Sequence, residues 1–201
     1  MGTQLPQRVN FVVVGDGGCG KTCLLFSYVN QALPEYIPRV FYSYVAELEI
    51  NGREVEMAFW DTVEGQEEYD RLRPLSYQHT HVLLLCFSIS SRDSFESIQK
   101  KWIGELDAYC KNVPIVLVGC KSDLREDKEI IKELQKTMQK PIEYQEALDA
   151  AKSIEAVKYV ECSAKSNEGV QDVFEQAAAA ALLNPKARKR LKGNKKGCIF
   201  L

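Results

Sequence analysis

The chain has 201 residues, 45% of them apolar and 27% charged. That is the balance of a folded domain with a real core, and it excludes collagen-like, disordered and disulfide-stapled chains. The net charge of −2 hides an asymmetry: seven of the 26 basic residues and none of the acidic ones follow Asn184, so residues 1–184 carry 19 basic against 28 acidic groups. An acidic body makes nucleic acid a poor partner, and the +7 tail alone asks for an anionic surface. No stretch reaches the roughly 18 apolar residues of a spanning helix. Met1–Pro6 offers neither an apolar signal core nor a myristoylation motif, so the cytosol is the expected place of synthesis and residence.

Val9–Val14 is a short apolar run ending at Gly15, the pattern of a strand buried on both faces. Leu24, Leu25, Tyr28 and Val29 then recur at helical spacing, and residues 31–41, with two prolines, read as loop. Tyr42–Ile50 and Arg53–Trp60 flank Asn51-Gly52, a hairpin signal. His81–Ser88 and Pro114–Gly119 are further buried strands, and between them Phe95, Ile98, Trp102, Leu106 and Tyr109 mark one face of a helix. Glu126–Lys140 is a charged surface helix, Tyr144–Ile154 a helix, Tyr159–Cys162 a strand and Val170–Leu183 an Ala-rich helix. Strands alternating with helices, apart from one hairpin, predict a mostly parallel six-stranded α/β sheet with one antiparallel edge strand and helices on both faces. Ligands of such sheets lie at the carboxyl ends of the strands.

Three segments fall at such ends. Gly15-Asp16-Gly17-Gly18-Cys19-Gly20-Lys21-Thr22 matches the G-x-x-x-x-G-K-[ST] pattern between a strand and a helix. Glycines let backbone N–H groups curl around an anion, the helix start adds its positive dipole end, Lys21 can reach the β- and γ-phosphates, and Thr22 offers a hydroxyl to Mg²⁺. Cys23, the next residue, is expected to bind the phosphates with them. Cys120-Lys121-Ser122-Asp123-Leu124 and Ser163-Ala164-Lys165 follow the last two strands. The Asp123 carboxylate can accept from N1–H and the N2 amine of guanine, whereas adenine would leave it unpaired; a buried polar group without its partner is what rejects the wrong base.

With these motifs, Trp60-Asp61-Thr62, the run Tyr69–Tyr77 and a C-terminal Cys198, the chain resembles the Rho family of small GTPases over residues 7–201. The resemblance implies a P-loop small G domain over 1–184, with the segment 126–140 as the family's extra insert helix and 185–201 as a basic prenylation tail. It implies a GTP/GDP switch with Mg²⁺, hydrolysis of GTP, and exchange factors, activating proteins, a dissociation inhibitor and effectors of Rho type, acting as a monomer in signalling to the cytoskeleton. In that frame Asp61 holds Mg²⁺ through water beside Thr22, Gly65 donates its N–H to the γ-phosphate, Gln66 orients the attacking water with Lys21 stabilising charge, and Tyr36 belongs to the first switch loop.

Four departures bear on activity. Arg39 stands where the family has a Mg²⁺-ligating Thr; it either approaches the γ-phosphate as a charge stabiliser or points into solvent. Asp61 and Gly65 are one residue further apart than the family pattern, and without a bulge Glu64 would put a carboxylate beside the polyphosphate. Leu33 replaces a Phe that stacks on guanine, and Cys120 replaces the usual Asn or Thr, a weaker hydrogen-bond partner. Slow hydrolysis and fast nucleotide release are the expected consequences. The alternative function is a guanine-nucleotide-binding interaction module with little or no turnover; a nucleotide kinase would need a lid-like Arg-rich segment.

Cys198-Ile-Phe-Leu201 fits C-a-a-X with the final Leu favouring a geranylgeranyl group, and the basic run supplies the second anchoring signal. The cytoplasmic face of a membrane, with a cytosolic pool, is the expected location. The seven cysteines form no C-x-x-C pair and read as reduced thiols. Cys19 and Cys23 at the helix start are candidates for low-pKa, redox-sensitive thiols. His79-Thr80-His81 has metal-like spacing without a carboxylate or cysteine beside it, and Trp102 reads as core.

Overall fold

The computed structural model describes residues 7–31, 33, 43–50, 53–62 and 73–184. Six strands form one sheet: β1 (Gln7–Val14), β2 (Ser43–Ile50), β3 (Arg53–Asp61), β4 (Val82–Ser88), β5 (Ile115–Cys120) and β6 (Lys158–Cys162), in the order β2-β3-β1-β4-β5-β6. Only β2 runs antiparallel, pairing with β3 from Ser43↔Trp60 to Ile50↔Arg53. The other pairings are parallel, so the carboxyl ends of five strands share one edge. The chain passes from β1 to the β2–β3 flank and returns after β3 to β4 on the other side of β1, and that switch point is where a crevice opens for a ligand.

The period-2 alternation of the strands sorts side chains onto two cores. Phe11, Val13, Met57, Phe59, Leu84 and Val118 face α1 (Lys21–Asn30) and, at the chain's other end, the helix Val170–Leu183. There Phe174 meets Tyr28 and Phe59 at centroid distances of 4.0 and 5.1 Å. Val12, Val14, Leu83, Leu85, Phe87 and Leu117 face the opposite side. They are covered by α2 (Arg92–Ser97), a π turn (Ile98–Trp102), α3 (Ile103–Tyr109) and the helix Tyr144–Ser153. The single helix expected around Phe95–Tyr109 is thus three pieces, and its widened turn presents Ile98 and Trp102, both buried, to the sheet.

The charged segment folds as α4 (Lys128–Lys136), shorter than 126–140, because Asp127 caps it by accepting from the N–H groups of Glu129 and Ile130 at 2.9 and 3.2 Å. It has no buried residue. Two further helices, α5 (Tyr144–Ser153) and α6 (Val170–Leu183), follow. Among the described residues no helix is long and apolar enough to cross a membrane.

Candidate functional site

Five strand ends deliver the site: Val14 leads into the glycine loop, Asp61 ends β3, Ser88 ends β4, Cys120 ends β5 and Cys162 ends β6. The loop passes hard against β4. A Cβ on Gly15 would lie 2.1 Å from the Cys86 carbonyl oxygen, and its φ of +142° is one that other residues rarely adopt. Gly20, at φ 117°, turns the chain into α1, whose first residues are Lys21, Thr22 and Cys23.

Lys21 is almost fully buried, and its ammonium donates to the carbonyls of Gly15 and Asp16 at 2.6 and 2.8 Å. The charge is therefore held inside the curl of residues 15–20, where a polyphosphate would need it. The Asp16 carboxylate accepts from the Trp102 indole N–H at 2.7 Å. Trp102 is buried as expected, but it is also a wall of the phosphate loop, which its helical spacing did not reveal. Its ring carries the Arg73 guanidinium 4.9 Å from the centroid, and Arg73 forms a two-pronged pair with Glu105 at 2.7 Å on each prong. Glu105 in turn accepts from the Tyr77 hydroxyl. One tryptophan thus joins the glycine loop to the helical turn at 73–76.

Across the loop, the Thr22 hydroxyl donates to Asp61 Oδ2 at 2.7 Å. The other oxygen, Oδ1, is buried with no hydrogen-bond partner. Burial pushes the Asp61 carboxyl up to about 6, against the pull of the Thr22 hydroxyl and the Lys21 charge. An orphaned carboxylate oxygen beside a Thr hydroxyl is an oxygen donor set of the kind a hard divalent cation takes, directly or through water. Thr22 and Asp61 therefore fit Mg²⁺. The neighbouring Thr62 is committed elsewhere, donating to the Val13 carbonyl at 2.6 Å.

On the other side of Gly20 lies a cavity of about 210 Å³, lined by Cys23, Leu24, Leu33, Cys120, Asp123 and Ala164 among others. It is smaller than the roughly 300 Å³ at which drug-sized sites begin, a size suited to one planar base. Lys121, Leu124 and Lys165 also border it. Lys121 takes a left-handed φ of 62° and its ammonium reaches back to the Gly18 carbonyl at 2.8 Å, which ties the base side to the phosphate loop. Buried Ser163 donates to Asp123 Oδ1 at 2.6 Å, fixing one carboxylate oxygen and leaving the other to a ligand. Ser27 on α1 holds the loop after β6 through Asn167 Oδ1 at 2.9 Å.

The structure thus gathers Gly15–Cys23, Asp61, Cys120–Leu124 and Ser163–Lys165 around one crevice. Tyr36, Arg39, Glu64, Gly65, Gln66 and Cys198 lie outside the described residues. One expectation is corrected. Cys19 is buried and its thiol donates to the Cys86 carbonyl at 3.5 Å; burial pushes its pKa up to about 12, and burial also raises Cys23. The helix start does not make low-pKa thiols here, because desolvation outweighs the dipole. His81 is likewise structural: its Nδ1 accepts from the Asn10 backbone N–H at 2.9 Å.

Comparison with known proteins agrees with this geometry. The Ras family model matches residues 10–183. GTP-binding protein rho5 of Schizosaccharomyces pombe is 52% identical over 208 aligned positions spanning all of both chains. GTP-binding protein rho1 of the same organism is 51% identical, again over all of both chains. GTP-binding protein RHO1 of Eremothecium gossypii is 49% identical over 96% of this chain and 95% of its own. A Ras-family domain over most of the length and half-identical Rho relatives from end to end show that the chain belongs to the Rho family of small GTPases, the GTP-binding and GTP-hydrolysing switches of the Ras superfamily.

Proposed function

We propose that the protein is a membrane-docked Rho-type switch that binds GTP or GDP in the crevice at the strand ends, hydrolyses GTP slowly, and signals to effectors, with the cytoskeleton as the family's usual destination. The observation that carries this reading is the Thr22–Asp61 pair with its orphaned Oδ1, set beside a buried Lys21 that is held inside the glycine curl. Residues 15–20 and Lys21 bind the polyphosphate, while Asp123 accepts from the guanine edge and Ser163 orients it. Thr22 and, through water, Asp61 hold Mg²⁺, which neutralises charge on the phosphates when bound. Gln66 orients the attacking water. Arg39, which cannot ligate a cation as the family's Thr does, and the lengthened Asp61–Gly65 spacing favour a low intrinsic rate. Exchange factors, activating proteins, a dissociation inhibitor and effectors of Rho type are the implied partners.

Single-turnover hydrolysis of bound GTP, with and without a Rho-type activating protein, tests the enzyme. Slow phosphate release that the activating protein accelerates supports it. Release in neither arm leaves a guanine-nucleotide-binding interaction module. The tail is tested separately: Cys198→Ser is expected to move the protein from the membrane pellet to the soluble fraction, since a basic patch without its lipid binds only weakly. Persistence in the pellet would refute the lipid anchor.

A further inference from the structure

The turn that carries Asp123 has a weak foundation. Ser122–Arg125 is a single 3-10 turn with no buried residue, entered through the left-handed Lys121. None of its residues belongs to either hydrophobic core. Its tethers are polar, and the strongest comes from Arg125. That guanidinium donates to Glu161 Oε2 and Oε1 at 2.5 and 2.6 Å and to the Ile142 carbonyl at 3.0 Å. Glu161 is in turn held by the Tyr159 hydroxyl at 2.5 Å. Gly119 leaves the space for this cluster: a Cβ there would meet Tyr159 Oη at 2.7 Å and Glu161 Cγ at 3.4 Å.

The spacing gives the cluster its meaning. Glu161 and Ser163 are two apart where β6 runs out, so their side chains leave the same face. Asp123 and Arg125 are two apart on the turn. Ser163 holds Asp123 and Glu161 holds Arg125. One tether would fix the position of the turn and leave its rotation free; two tethers fix both. The rotation sets the direction in which the free oxygen of Asp123 points.

We propose that Arg125 and Glu161 are positioning residues for base recognition: their ion pair, anchored to β6 and to the Ile142 carbonyl, sets the aim of the Asp123 carboxylate and so the preference for a purine with a 2-amino group. This rests on the assignment of Asp123 to the guanine edge. Loss of the fork lets the turn rotate. The two-point contact with N1–H and the 2-amine then weakens more than the contact with a purine that offers N1–H alone.

The test compares GDP with inosine diphosphate, which lacks only the 2-amino group, in the full-length protein with Mg²⁺. Wild type is expected to bind GDP more tightly; equal affinities would overturn the Asp123 assignment itself, and with it this proposal. Arg125→Lys keeps the charge and loses the fork, and Glu161→Gln keeps the shape and loses the charge. Each is expected to weaken GDP roughly tenfold and inosine diphosphate only two- to threefold, so that the ratio of the two contracts. The double variant should cost little more than either single one, because both remove the same pair. A clear wild-type preference for GDP, with equal losses for both nucleotides in both variants, would make the pair merely structural and overturn the proposal while leaving Asp123 in place. Denaturant unfolding of each variant identifies any that is not folded, and the other variant then decides.

Discussion

The base end and the phosphate end of the crevice are built on opposite plans. At the base end the polar groups are tied to one another: Ser163 to Asp123, Arg125 to Glu161, Ser27 to Asn167. At the phosphate end the groups wait for a partner. Lys21 is folded onto the carbonyls of its own loop, and Asp61 keeps a buried oxygen without a donor. The first arrangement is held by the protein's own side chains, with one Asp123 oxygen left for the base, and suits selection of one base by preorganisation. The second is completed by a charged ligand, so its strength depends on what is bound.

The largest effect that can break this contrast is expected at Lys21. Lys21→Ala removes the buried cation held on the Gly15 and Asp16 carbonyls of the glycine curl. Hydrogen bonds to charged groups are worth about 1.5–3 kcal/mol each, and GDP offers its β-phosphate to this one. GDP affinity should fall by roughly 10- to 100-fold, read by titration with fluorescent GDP. A loss below tenfold would mean that the backbone amides alone hold the phosphates.

A smaller effect separates the two ends directly. Thr22→Ala deletes the hydroxyl that faces Asp61. In the wild type, chelating Mg²⁺ should speed GDP release; in Thr22→Ala that acceleration should shrink by about tenfold, because one cation donor has gone. Asp123→Asn should trade guanine for xanthine preference and leave the Mg²⁺ dependence of release unchanged. A Mg²⁺ dependence that moves equally in both variants would merge the two ends into one unit.

The parts of this arrangement that were legible in the sequence are those whose constraints are local. The glycine loop lies between a run of apolar residues and a helix, and that context is written within 15 residues. The hairpin followed from alternation, and its antiparallel pairing is observed although Asn51 and Gly52 lie outside the described residues. The tethers were not legible. Trp102 and Asp16 are 86 positions apart, and Arg125 and Glu161 are 36. Periodicity marks which face of a helix is buried, but not what an indole N–H meets there. A polar hydrogen on a buried ring was the available signal, because such a donor needs an acceptor. The cysteines read as small core thiols are buried in five described positions, and the alternative of a low-pKa thiol at the helix start fails at Cys19 because solvent does not reach its sulfur.

Trp102 gives a more modest prediction. Trp102→Phe keeps a ring under Arg73 and removes the donor to Asp16, leaving a carboxylate of the phosphate loop without that bond. A loss of about 1 kcal/mol is expected, read as a roughly fivefold faster GDP release. Unchanged release would show that Asp16 needs no anchor and that the loop is held by Lys21 and Gly15 alone.

The smallest effect is chemical. Cys19 belongs to the phosphate loop and is buried with a pKa of about 12; Cys23 is half-buried and lines the base cavity. The thiolate is the reacting species, and burial holds Cys19 in the unreactive thiol form at pH 8. Iodoacetamide should therefore label Cys23 before Cys19, with the order read by peptide mass mapping. Since Cys23 borders the base cavity, saturating GDP should slow its labelling, while Cys19 stays unreactive with or without nucleotide. Fast labelling of Cys19 in the nucleotide-free protein would mean that the loop opens when empty. The phosphate end would then be unformed, not merely incomplete, without its ligand, and the contrast with the base end would become one of folding as well as of charge.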